Sequence, residues 1–288
     1  MKKLICIILS VFLLYGCARS EDVNILATTL PVYTFAQRLC EGTDLKVGQL
    51  VTENVSCLHD YTLKIDQMQM LENADVVVIS GAGLEDFLED ALDITTRIID
   101  ASEELSLLEG SHDEHDHHGG HTHEEDPHIW LSPRNASVMA HNICDNLCDL
   151  YPNYKQTFKS NLNTLIYELD SLQAYGESSL SELSSRELVT FHDGFSYLAE
   201  SFDLTILMAV EEESGSEASA KQLISLINIV KEHHLPAIFT ESNGSVSAAG
   251  IIAAETGVPI FTLDMGITGE DYFTTMYRNI DTLREALN

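Results

Sequence analysis

Asp75-Val76-Val77-Val78-Ile79-Ser80 sets four consecutive aliphatic residues between polar neighbours, with no alternation. A strand open to water on one face alternates apolar and polar residues. A strand that does not alternate is covered on both faces, as in parallel sheets flanked by helices. Gly81-Ala82-Gly83 breaks the run, and residues 84–92 read as a return to helix. Upstream, 24–30 reads as a strand stopped by Pro31, 32–40 as a helix, 45–51 as a strand and 65–73 as a helix. Downstream, 97–100 reads as a fourth strand. A second series follows late in the chain, with strands at 188–191, 205–208, 237–240 and 259–262 and a helix at 218–233.

Between the two series, Phe158, Leu162, Leu165, Ile166, Leu169 and Leu172 recur at three- and four-residue spacing without a proline. The helix is expected to run from Tyr154 to about Leu183, which at about 1.5 Å per residue is roughly 40 Å long and acts as a strut. The chain is therefore expected to be an α/β protein of two lobes. Each lobe has a mainly parallel sheet flanked by helices, and a long rigid linker helix joins them. The expected divisions are 1–16 (signal peptide), 17–152 (N-terminal lobe), 153–184 (linker helix) and 185–288 (C-terminal lobe). Ligand sites in open α/β sheets form at the carboxyl ends of strands, so a site is expected in the cleft between the lobes. A rigid strut implies local rearrangement on loading in place of wide hinge closure.

Met1-Lys2-Lys3 is a short basic start, followed by an apolar run from 4 to 14 that is too short to span a bilayer. It suits a secretory signal. It ends at Leu14-Tyr15-Gly16-Cys17, which resembles a bacterial lipobox, implying lipidation of Cys17 and anchoring to the cell membrane. The full chain has 288 residues and a formal net charge of −31. Such a charge repels nucleic acid phosphates and concentrates cations near the surface. If Cys17 is lipidated, Cys40, Cys57, Cys144 and Cys148 remain, an even number that permits disulfides without fixing their pairing. Cys144 and Cys148 stand four apart on an expected helix, where a bridge would be strained, so free thiols are expected there.

Ser111 to Asp126 reads SHDEHDHHGGHTHEED, without one apolar residue. It cannot join a core and is expected to be a disordered loop. Its His112, His115, His117, His118, His121 and His123 make it a loose multidentate metal trap. Four other residues form a sharper set. His59 follows the second expected strand, in Ser56-Cys57-Leu58-His59-Asp60-Tyr61. His128 lies where order resumes, in Asp126-Pro127-His128-Ile129-Trp130-Leu131-Ser132-Pro133, with Pro133 opening a helix. His192 ends a strand, in Phe191-His192-Asp193-Gly194-Phe195. Asp264 follows the last strand, in Thr262-Leu263-Asp264-Met265-Gly266. Two candidates come from each half, which is how a cleft gathers metal ligands. A single such histidine would more readily be structural.

With those residues in view, the whole chain resembles the zinc and manganese solute-binding lipoproteins of ABC importers, the cluster A-I type. The marks are Leu58-His59-Asp60-Tyr61, Asp126 through Pro133, Phe191 through Phe195, and Glu217-Ala218-Ser219-Ala220 leading to Phe239-Thr240-Glu241-Ser242-Asn243. The histidine-acid tract before Asp126 is typical of the zinc branch. The resemblance implies that His59, His128 and His192 are three imidazole ligands and that Asp264 is the carboxylate. Many relatives carry Asp-Pro-His-Thr-Tyr-Glu where this chain has Cys57-Leu58-His59-Asp60-Tyr61, which leaves open whether Cys57 pairs with Cys40. Imidazole suits zinc, and three nitrogens with one oxygen make a common tetrahedral site. The manganese branch commonly has a glutamate where His192 stands. Glu241 is a candidate acceptor for a ligand's other ring N–H, or alternatively a support for its own loop.

The resemblance implies a monomer outside the cytoplasm that captures Zn2+ as transported cargo and delivers it to a membrane permease with its ATPase. A manganese-specific protein of the same type and a surface zinc store or adhesin are the alternatives. A zinc hydrolase is a further class, and three histidines with an open position would suit one. No HExxH helix, nucleophile elbow or Walker-type loop is present, and a carboxylate would close the fourth position, so no enzyme is expected.

Overall fold

The computed structural model describes residues 23–55, 58, 61–89, 91–92, 97–110, 125–211, 219–242, 246–269 and 271–288. The signal segment with Cys17, His59, Cys57 and the histidines of the 111–124 stretch lie outside the described residues.

The first sheet contains β1 (Ile25–Ala27), β2 (Val47–Gln49), β3 (Val76–Ile79) and β4 (Ile98–Asp100), in the order β2-β1-β3-β4, all parallel. The second contains β5 (Glu187–His192), β6 (Thr205–Glu211), β7 (Ile238–Glu241) and β8 (Ile260–Leu263), in the order β6-β5-β7-β8, again all parallel. The two sheets repeat one topology. In each, the chain steps to one side of its first strand and then returns to the other side. That reversal places a switch point between β1 and β3 and another between β5 and β7. Ligands in open α/β sheets bind outside the carboxyl ends of strands at such points. His192 and Glu241 are the last residues of the strands flanking the second switch point.

The helices are α1 (Leu30–Leu39), α2 (Ile65–Asn73), α3 (Pro133–Leu150), α4 (Lys155–Ser179), α5 (Ser196–Ser201), α6 (Ala220–Glu232), α7 (Val246–Thr256) and α8 (Tyr272–Leu287). Helix α4 buries Phe158, Leu162, Leu165, Leu169 and Leu172, the stripe predicted from the sequence. It starts at Lys155, after a 3-10 turn at Pro152–Tyr154, and ends at Ser179. On its flanks it packs against α1 and α3 of the first half and α8 of the second. One continuous apolar core therefore joins the lobes, from Val77 of β3 through Leu165 to Leu188, Phe239 and Leu263 of the second sheet. A smaller cluster around Val189, Phe191, Leu226 and Ile252 covers the other face of that sheet. Buried bonds also cross between halves. Leu30 N donates to Ile267 O at 2.8 Å, Trp130 Nε1 to Met265 O at 2.8 Å, and the Tyr272 hydroxyl to Trp130 O at 2.8 Å. The rings of Phe35 and Tyr272 meet edge-on at 5.1 Å.

Two local expectations are corrected. Pro31 lies inside the first turn of α1, not ahead of it, because the first turn has no partner for its N–H to lose. The helix expected at 84–92 is reduced among the described residues to a 3-10 turn at Asp86–Leu88. Gly81, Ala82 and Gly83 all take positive φ, at 85°, 55° and 80°, and turn the chain left-handed. Glu85 then folds back to accept Ser80 N at 2.7 Å, Gly81 N at 3.0 Å and the Thr28 hydroxyl at 2.6 Å. Burial raises this carboxyl to about 7, against the hydrogen bond from Thr28. Cys40, Cys144 and Cys148 are buried free thiols, as expected for the pair on α3.

Candidate metal centre

His128 is held by its own local sequence. Pro127 separates it from Asp126, and that spacing lets one carboxylate oxygen serve two donors. Asp126 Oδ1 receives the His128 backbone N–H at 2.9 Å and lies 2.8 Å from ring Nδ1. Both residues are buried, at 6% and 2% exposure. Burial would raise the Asp126 carboxyl, but the charge and hydrogen bonds of His128 outweigh it and hold the group below its usual range. When the ring is neutral, a carboxylate at Nδ1 favours the tautomer with its proton there. That leaves the Nε2 lone pair pointing the other way.

That lone pair faces His192. The two Nε2 atoms stand 3.5 Å apart, and the rings are nearly perpendicular at 89°. Two nitrogens about 2.0–2.1 Å from one tetrahedral ion stand about 3.3–3.4 Å apart. The spacing therefore suits a shared metal, and it is long for a direct N–H···N bond. Gly194 makes the approach possible. A Cβ there would lie 2.7 Å from Met265 Cε, 2.8 Å from His192 Cδ2 and 2.9 Å from His128 Cε1.

Asp264 directly follows β8, as expected, in the same loop as Met265. Its backbone is gripped by Asn279, whose Oδ1 accepts Asp264 N at 2.9 Å and whose Nδ2 donates to Asp264 O at 2.7 Å. One carboxylate oxygen accepts Gly266 N at 2.9 Å. Among the described residues no group of three or more His, Cys, Asp or Glu converges as a metal cluster, and the pair the structure brings together is His128 and His192. Glu241 is buried, 4% exposed, at the end of β7. Thr190 pairs with Phe239, so a pleat further along His192 and Glu241 are neighbours on the same face.

The segments flanking His59 are tied together. Leu58 is buried, and Tyr61 N donates to Leu58 O at 3.0 Å. The Tyr61 hydroxyl donates to Glu53 Oε2 at 2.8 Å and accepts Gln67 Nε2 at 2.6 Å. The Lys64 hydrogen bond, with help from Tyr61, holds the Glu53 carboxyl down to about 2. Sequence reasoning missed two residues here, Asp126 and Gly194. An acid two residues before a candidate histidine, and a glycine two residues after one, were the available signals.

A family model described as zinc-uptake complex component A, periplasmic, matches residues 25–286. The zinc-binding lipoprotein AdcA of Streptococcus pneumoniae (strain ATCC BAA-255 / R6) is 31% identical over 309 residues, covering 99% of this chain and 61% of that protein. The chain thus spans less than two thirds of the length of such curated relatives. The crystal structure of ZnuA superposes with a TM-score of 0.82 at 28% identity, covering 93% of this chain and all of the other. The Zn(II)-bound ZnuA-like domain of Streptococcus pneumoniae AdcA gives 0.76 at 28% identity, covering 93% of this chain and 99% of that one. The match over residues 25–286 and the shared two-lobed fold place this chain in the ZnuA family, the zinc-uptake complex component A proteins.

Proposed function

We propose that this chain is the extracytoplasmic zinc-binding component of an ABC importer, and that it captures one Zn2+ as cargo between its lobes. His59, His128, His192 and Asp264 are the ligands. The observation that carries this is the 3.5 Å separation of two imidazole Nε2 atoms, one of them on a ring whose other nitrogen is anchored by the Asp126 carboxylate. Asp126 fixes the tautomer and orientation of His128, which is the usual role of an acceptor behind a metal-bound histidine. Glu241, buried on the strand beside His192, is placed to accept that ring's other N–H in the zinc-loaded protein. Asp264 adds a negative charge to three neutral imidazoles and completes a tetrahedral shell.

The division at 153–184 gives a spine on which both lobes are fixed. The lipid on Cys17 keeps the protein at the membrane as a monomer near its permease and ATPase. His112, His115, His117, His118, His121 and His123 collect zinc weakly and raise its local concentration. The family description of a periplasmic uptake component supports this reading, as does the lipoprotein name of the pneumococcal relative.

X-ray absorption of the zinc-loaded protein tests the shell. The expected result is nitrogen and oxygen scatterers alone at about 2.0–2.1 Å. Cys57 lies two positions from His59, so a sulfur shell at about 2.3 Å would overturn the ligand set.

A further inference from the structure

The helix that follows His192 carries a second residue directed at the metal centre. Tyr197 is buried, 1% exposed, in α5. Its hydroxyl accepts Leu108 N at 2.9 Å and donates to the backbone oxygen of Asp126 at 3.0 Å. Asp126 N in turn donates to Leu108 O at 2.8 Å, and Glu109 bridges Glu125 in antiparallel fashion. The Asp126 main chain is thereby pinned on both sides, while its carboxylate receives the backbone and ring nitrogens of His128.

We propose that Tyr197 is a positioning residue for zinc, acting across the lobes: its hydroxyl fixes Asp126 and, through Asp126, the ring of His128. This rests on the reading of His128 as a ligand. The direction of a short carboxylate is set by its own backbone, and Tyr197 is what holds that backbone. The ring of Tyr197 would fill the same space without its oxygen. The hydroxyl is required because Leu108 N and Asp126 O are buried and need partners. Burial pushes the phenol up to about 12, so it stays a proton donor throughout the physiological range. The stretch from the end of β5 into α5 thus does two things. It supplies one ligand, His192, and it positions the other, which comes from the first half of the chain. This explains how two imidazoles of separate origin keep a metal-sharing distance.

The test is Tyr197→Phe in the full chain. Zinc affinity is measured by competition with a chelator, and the His128 tautomer by nitrogen-15 NMR of its ring. Tyr197→Phe is expected to lower affinity about tenfold, the lower end for loss of an outer partner, and to raise the fraction of His128 protonated at Nε2. Tyr175→Phe, which removes a comparable hydroxyl bond to Asp281 at 2.6 Å on another face, is expected to leave both unchanged. Unchanged affinity and tautomer in Tyr197→Phe, with His128→Ala strongly weakened, overturns the role of Tyr197. An unaffected His128→Ala overturns the site reading instead. A readout that does not need the variant to fold is hydrogen exchange at the Leu108 amide of the native protein. Slow exchange in the zinc-free form is expected, and fast exchange contradicts the clamp.

Discussion

His128→Ala and His192→Ala each lower zinc affinity by more than about a hundredfold, because losing a direct ligand must exceed the 10–100-fold typical of losing an outer partner. The two nitrogens face one point, so removing either leaves an incomplete shell that water fills. Alanine also opens a void at two of the most buried polar positions, so the comparison needs a control. Asp126→Asn supplies it. The amide keeps the volume and can still accept the backbone N–H of His128, but it no longer offers a charged acceptor to the ring. Its expected loss is smaller than that of either alanine variant. A chelator-competition titration at fixed pH ranks all three. Equal, tight binding in the two histidine variants would remove both residues from the site.

Between pH 7 and pH 5, zinc affinity falls steeply, by more than about a decade, since protons and metal compete for the same nitrogens. Each ring must be neutral to bind, so the losses at three imidazoles multiply. Only the neutral ring binds, so affinity rises with pH and levels off above about 7. A cysteine ligand would behave differently, with affinity still climbing beyond pH 8 as its thiol ionises. The same titration repeated from pH 5 to 8.5 distinguishes these outcomes. A change of less than one decade across the acidic range would contradict a three-histidine shell.

The sequence made the frame visible where one force dominated. The valine run of β3 has no polar face and admits a single reading, and the α4 stripe is carried by five buried apolar residues in register. Legibility failed where side chains redirected the backbone. Residues 84–92 have helical composition, yet Glu85 caps the amides of Ser80 and Gly81 and the preceding left-handed turn prevents a helix. Helix α7 carries alanine, glycine and isoleucine around its axis and offers no stripe to read. At the site, His192 was legible because a strand ends on it. The function of Asp126 was not, because acids beside histidines are common and only the folded turn shows the carboxylate reaching ring and backbone at once. The 3.5 Å approach of His128 and His192 depends on Gly194 and on bonds between lobes, which no local pattern encodes. The shared core was hidden for the same reason. A spaced stripe on α4 says that the helix is buried but not that both lobes pack on it.

One tight zinc site is built by the ordered lobes in the proposed function, and the histidine tract only feeds it. The direct measurement is a zinc titration of the chain with residues 111–124 replaced by a short Gly-Ser linker, which retains Glu109, Glu125 and Asp126 and so the base held by Tyr197. A tract without apolar residues must order itself around each ion, and the entropy of doing so keeps its sites weak. The expected result is one tight site of unchanged affinity, with the weaker additional sites gone. Loss of the tight site, with His128 and His192 intact, would show that the tract itself is the primary binding site.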